Sequence, residues 1–194
     1  MAKGDTVVSV PTARMQIITH APTLWVSANF SELWFRDAMS EATGRDGENS
    51  TRREIVFAAS FLESYIFEWV RRICGVGGVN EYFPPEPRTK GDPRFQRSLK
   101  DKWKSIPSEL FSDGLISMQV SLDLSELGAL VELRNGLLHA RASRPLTEGL
   151  KGKYQPVPAP GQLQTIAHGW ACRVARNLVL ELHRDLNEDA PNYL

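Results

Sequence analysis

The chain has little cysteine, no net charge and no long apolar run, and each shortage removes a class of protein. Cys74 and Cys172 are its only cysteines among 194 residues, and they fit no metal-ligand spacing. A zinc ribbon or a disulfide framework is therefore excluded, and two free, largely buried thiols are expected. Lys and Arg total 23 against 23 Asp and Glu, so the protein does not coat nucleic acid or membrane by bulk charge, although a local basic site stays open. No stretch approaches the roughly 20 apolar residues of a membrane span, which leaves no membrane partner. Residues 1–5 carry no apolar signal core, and a cytoplasmic protein is expected. Gly75-Val76-Gly77-Gly78 lacks both the Gly-Lys-Ser/Thr ending and a preceding strand of a phosphate loop. His20, His168 and His183 show no ligand spacing, and neither a metal nor a cofactor is expected.

What remains is ordinary globular material, 42% apolar and 24% charged. The length suits one domain with a single core. The expected architecture is all-α, a bundle of about five helices with two long loops, covering 1–194 as one domain with an N-terminal arm at 1–21. The arm contains the β-like run Thr6–Val10. Pro22, at a plausible first helical position, opens a helix over about 22–43. Thr51-Arg52-Arg53-Glu54 has the spacing of a capping box, and Ile55, Ala58, Ala59, Leu62, Tyr65, Ile66, Trp69, Val70 and Ile73 follow as one stripe. Gly75 ends that helix, and a Gly/Pro-rich loop occupies 74–92. Asp92-Pro93 starts a basic helix to about 105. Asp123-Leu124-Ser125-Glu126 resembles a second capping box, ahead of a helix with Leu127, Leu130, Val131, Leu137 and Leu138 facing inward to about Ala142. A second loop fills 143–160. The last helix, about 161–188, carries Ile166, Trp170, Val174, Leu178 and Leu182 at helical spacing.

The segment that looks chemical is Arg134-Asn135-Gly136-Leu137-Leu138-His139. On a helix Asn135 and His139 share a face, while Arg134 lies about 140° round from His139 with a side chain long enough to bend back. The three offer a fixed cation, an amide and a group titrating near neutral pH, which suits a phosphodiester. Gly136 costs roughly 1 kcal/mol in a helix interior, a cost that close approach by another helix or by a ligand would explain. On spacing alone a hydrogen-bonded core histidine explains the hexapeptide more readily than catalysis does, and an unrelated helical bundle then stands as an alternative.

These six residues resemble the Arg-x4-His signature of the HEPN superfamily (higher eukaryotes and prokaryotes nucleotide-binding), in which a polar residue, often Asn, follows the Arg. The segment Phe57–Ile66 is similar to the long early helix of many such domains, and the motif sits in a late helix as it does there. The resemblance implies a metal-independent RNA endonuclease, a homodimer whose two motifs meet in one composite site, with a toxin or phage-defence role and an antitoxin or defence-system partner among the options. It assigns His139 as general acid or base toward the ribose 2′-hydroxyl and Arg134 as stabiliser of phosphoryl charge. Asn135 would hold the phosphate or orient the histidine. Products would end in a 2′,3′-cyclic phosphate. The alternative within the same resemblance is a non-catalytic helical module that binds RNA, a nucleotide or a protein.

Around the motif the charge is uneven. Arg88, Lys90, Arg94, Arg97, Lys100, Lys102 and Lys104 face only Asp92 and Asp101, with Phe95 and Trp103 interleaved. Such a stretch can track a phosphate backbone while bases stack, or it can be a solvated face with core aromatics. Arg141, Arg144, Lys151 and Lys153 form a second basic run. Glu63, next to Leu62, is placed to reach Arg134 or His139, or else to sit on the helix surface. Arg94, Arg97, Lys100, Arg141, Arg144 and Glu63 are thus the candidate substrate-binding residues beside Arg134, Asn135 and His139.

Overall fold

The computed structural model describes residues 16–20, 23–27, 30–44, 47–85, 92, 94, 97–138, 163 and 166–194. The fold is an all-α bundle of five helices, preceded by a two-stranded ribbon. The strands are β1 (Gln16–His20) and β2 (Thr23–Ser27), antiparallel, with Ile18 opposite Trp25. The helices are α1 (Phe30–Ala42), α2 (Glu48–Tyr82), α3 (Leu99–Ser112), α4 (Ser125–Leu138) and α5 (Trp170–Leu186). The arm's run at 6–10 and the loop at 143–160 lie outside the described residues.

α2 is the central element and packs against α1, α3, α4 and α5; α5 also meets α1 and α4, and α3 meets α4. The apolar stripe of α2 is buried as its spacing predicts: Ile55, Ala58, Leu62, Ile66 and Val70 are fully enclosed, with Trp69 and Ala59 nearly so. Phe35 of α1, Trp103, Ile106 and Leu110 of α3, Leu127 and Leu130 of α4, and Val174, Leu178 and Leu182 of α5 close on that stripe as one continuous core.

Several expected boundaries are overturned. The first helix starts at Phe30, not near Pro22, because Thr23-Leu24-Trp25-Val26 is rich in β-branched and aromatic residues and pairs with β1. α3 spans Leu99–Ser112 rather than about 92–105. Its cap is Ser98, whose Oγ accepts the Asp101 N–H at 3.1 Å. It runs through Pro107 because Ile106, Pro107 and Leu110 are all buried, and packing outweighs one missing backbone bond. α5 begins at Trp170, after Gly169 in the left-handed region (φ 78°). Leu138 is exposed rather than inward-facing.

The largest departure is in α2. Gly75, at φ 72°, ψ 179°, ends the first helical piece as expected, but in place of a loop a second helical piece follows at once and continues to Tyr82. That piece is held because Val79 and Tyr82 are buried in the core and the Tyr82 hydroxyl donates to Asp113 at 2.6 Å. The expected loop from 74 is thus helical as far as Tyr82.

The two expected capping boxes are also not formed. Helix α2 starts at Glu48, so Thr51 is already inside it, and its hydroxyl donates to the Gly47 carbonyl. Glu54, almost wholly buried, instead crosses to α5, where it accepts from the Gly169 N–H and the Cys172 N–H, each at 3.0 Å. At α4, Asp123 accepts the Ser125 N–H at 2.9 Å, while Glu126 accepts from the Trp170 indole at 3.3 Å rather than folding back.

Candidate nucleic-acid interface

Helix α4 presents Leu127 and Leu130 to the core and keeps Val131 and Leu137 half-buried. Its last turn therefore carries Arg134 to Leu138 along the edge of the bundle. Asn135 is exposed and Arg134 is half-buried, with 32% of the Arg134 side chain open to solvent. The Arg134 Nη1 donates to the Asn135 Oδ1 at 3.0 Å. Its Nη2 lies 3.9 Å from Oε2 of Glu63, which comes from α2. The other oxygen of the same carboxylate accepts from Lys102 Nζ of α3 at 2.6 Å. Three helices thus bring two cations to one carboxylate.

Lys102 is the more enclosed of the two cations. Its ammonium stands 5.8 Å from the centre of the Phe83 ring, a cation–π contact that fixes it from below. Phe83 in turn meets Phe67 edge-on, with centroids 5.2 Å apart. Phe67 is 38% exposed. Lys100, two residues before Lys102, reaches across to α4: a Cβ placed on Gly128 would stand 3.1 Å from its Nζ. A side chain at Gly128 would press on the tip of this lysine, which would shift by a few tenths of an ångström.

The remaining sequence candidates divide. Arg97 is a structural cation: 7% of its side chain is exposed, and its guanidinium is bound to Glu109 at 2.8 Å and to Ser105 Oγ at 2.8 Å. It is not available to a phosphate backbone. Arg94 is committed locally, through its backbone N–H to Asp92 and its guanidinium to the Glu81 carbonyl at 3.2 Å. Trp103, a candidate for base stacking, is buried and donates to the Leu62 carbonyl at 3.2 Å. His139, Arg141 and Arg144 lie outside the described residues, as does Phe95. Glu63, Lys100, Arg134 and Asn135 are therefore the candidates found at the α2–α3–α4 edge. Lys102 joins them, though nothing in the sequence raised it above its basic neighbours, because its position depends on how α3 docks against α2.

An open cavity of about 530 Å³ lies elsewhere, between the start of α4 and α5, with Asp123, Glu126, Glu181 and Arg184 around Leu127 and Leu178. Hydrogen bonds from Ser125 hold the Asp123 carboxyl below its ordinary range. Arg184 is bound to Glu181 and to Asp185, each at 3.3 Å. This lining is of the wrong sign for a phosphate. Both cysteines are free. Burial, and then the adjacent Glu54 carboxylate, push the Cys172 thiol up to about 12, so it is no nucleophile. Among the described residues no group of three or more His, Cys, Asp or Glu is placed to hold a metal ion, and no helix is long and apolar enough to cross a membrane.

No protein-family model, no curated protein and no solved structure matches the chain.

Proposed function

We propose that this protein is a metal-independent RNA endonuclease of HEPN type. The observation that carries the reading is the Arg134–Asn135 pair, joined at 3.0 Å on the last turn of α4, with Asn135 exposed and Arg134 half-buried at the bundle edge rather than enclosed in the core. A guanidinium and an amide so placed suit one phosphodiester oxygen each. In the reaction His139 accepts the proton of a ribose 2′-hydroxyl. The 2′-oxygen forms a bond to the adjacent phosphorus, the bond from phosphorus to the 5′-oxygen breaks, and the leaving oxygen takes a proton. Arg134 neutralises the charge that builds on the phosphoryl oxygens, a stabilisation that typically contributes about 10²–10³ in rate. The positioned histidine contributes about 10²–10⁴. The composite site of two motifs belongs to a homodimer.

The test is incubation of the purified protein, beside His139→Ala and Arg134→Ala, with end-labelled single-stranded RNA in the presence of a chelator. The wild type is expected to yield 2′,3′-cyclic phosphate ends. His139→Ala and Arg134→Ala should lose cleavage by the factors above with an unchanged circular dichroism spectrum. An RNA carrying a single 2′-deoxy nucleotide at the cut site should survive. Cleavage that stops on adding chelator, or that persists in His139→Ala, would sink the assignment. RNA that binds the wild type and stays intact would instead identify a binding module.

A further inference from the structure

We infer that Lys102 and Arg134 form a phosphate subsite for a single-stranded nucleic acid, that Glu63 occupies it in the free protein as a substitute anion, and that Phe67 stacks the adjoining base. This deepens the nuclease reading and rests on it for the identity of the substrate.

The geometry supports an exchange of anions. Two cations from different helices converge on the two oxygens of one carboxylate, at 2.6 Å and 3.9 Å. A non-bridging pair of phosphodiester oxygens presents the same fork of negative charge. Glu63 is well placed to leave, since 44% of its side chain is exposed, and ion pairs in water are worth little. Lys102 is well placed to stay, because its ammonium is supported by the Phe83 face and only 17% of its side chain is open. Arg134 is likewise held by Asn135. Departure of Glu63 therefore leaves two preorganised cations for one phosphate, where the resting state has two cations for one carboxylate.

The aromatic element is adjacent by the period of the helix. Phe67 lies four residues after Glu63 on α2, and such positions share a face with Cβ atoms about 5–6 Å apart. The residue is 38% exposed, and its ring is braced edge-on by Phe83, which itself underlies Lys102. An exposed, braced ring next to a phosphate site is the arrangement on which unpaired bases stack. Bases inside a duplex cannot reach it.

The experiment is a fluorescence-anisotropy titration of a fluorescein-labelled single-stranded 2′-O-methyl oligonucleotide, whose blocked 2′-oxygen removes cleavage from the measurement. Lys102→Met should weaken binding and reduce the slope of log K against log salt by about 0.7, one phosphate contact on a single strand. Lys102→Arg should restore most of it. Phe67→Ala should weaken binding about 5- to 150-fold, the effect of one stacked base, with the slope unchanged, and Phe67→Leu should do so while keeping an apolar side chain against Phe83. Glu63→Gln is the decisive variant. If Glu63 competes with phosphate, its neutralisation tightens binding; if it only props the two cations, binding weakens or stays as it was, and the guarded subsite is overturned. A duplex of the same sequence that binds as tightly as the single strand would overturn the stacking role. The nuclease reading fails separately: uncut natural RNA with these binding effects intact removes the catalysis and keeps the subsite, whereas His139-dependent cleavage with binding indifferent to Lys102 and Glu63 does the reverse.

Discussion

At the level of single residues, the charged groups inside this bundle act mostly at helix ends. Glu54 accepts two backbone N–H groups at the start of α5, and Glu68 accepts the Ser31 N–H and hydroxyl at the start of α1, at 3.1 and 2.6 Å. The central helix thus supplies negative charge to the positive ends of two neighbours, where the unpaired donors lie. The spacing of Thr51 and Glu54 suggested a local box, because a sequence displays distances along the chain and not across it; a carboxylate at the right offset for its own helix was recruited by another. His183 is the buried residue with the clearest consequence for pH. It is 2% exposed; its Nε2 is hydrogen-bonded to the Tyr65 hydroxyl, and its Nδ1 lies 3.6 Å from Glu188. Burial first, and then the nearby Arg72 charge, lower its pKa below the ordinary 6.5, while Glu188 opposes them. The folded state therefore holds the ring neutral after the unfolded chain has begun to protonate it. Stability is fully present above about pH 6.5 and falls as pH drops from there toward the folded pKa, by at most about 1.4 kcal/mol per pH unit. Chemical denaturation at pH 7.5, 6.5 and 5.5 should show that fall, and His183→Gln should flatten it whatever its absolute stability. An unchanged pH slope in the variant would assign the acid sensitivity to other groups.

At the level of elements, legibility followed how much of each helix faces the core. α2 and α5 were readable because their buried residues recur every three or four positions and a run that long has no other arrangement that hides them. The ribbon was missed because β2 is only five residues, too short to show a period beside Pro22. The helical piece beyond Gly75 is not legible, because a glycine stop and a glycine kink look alike until the residues beyond are seen to be buried. Gly75 at φ 72°, ψ 179° has a conformation that side-chain-bearing residues avoid, while a Cβ there would touch nothing within 4 Å. Gly75→Ala should therefore destabilise by about 1–3 kcal/mol through the backbone alone. Gly77, two residues on, is helical and equally uncrowded, so Gly77→Ala should stabilise by about 0.4–1 kcal/mol. Urea unfolding of the two variants checks this directly, and equal effects of one sign would remove the special role of Gly75. Because the piece after the kink leads to Phe83, strain at Gly75 should also loosen the support beneath Lys102.

At the level of the whole molecule, zero net charge concealed an uneven surface: two cations against one carboxylate at the α2–α3–α4 edge, and three carboxylates around one arginine at the α4–α5 cavity. The sequence could show that lysines and arginines cluster between 88 and 104, but not that Arg97 is consumed by Glu109 while Lys102 meets Glu63 beside Arg134, since both outcomes depend on the docking of α3. The core joins all five helices without a gap, so they should unfold together. Far-UV circular dichroism and the fluorescence of the buried Trp69 and Trp103 are expected to report one coincident transition. If the motifs of two copies meet in one site, the folded state is also linked to association, and its midpoint must rise with protein concentration. Several large apolar side chains are exposed, among them Leu138 at 51% within the motif, Phe111 in the last turn of α3, and Leu115 and Met118 just beyond it. Thermal unfolding across a hundredfold range of concentration, run with analytical ultracentrifugation, separates the cases. A rising midpoint with a sedimenting dimer supports the composite site. A concentration-independent midpoint with a monomer at micromolar levels would require Arg134 and His139 to work within a single chain, and the homodimer would have to be given up.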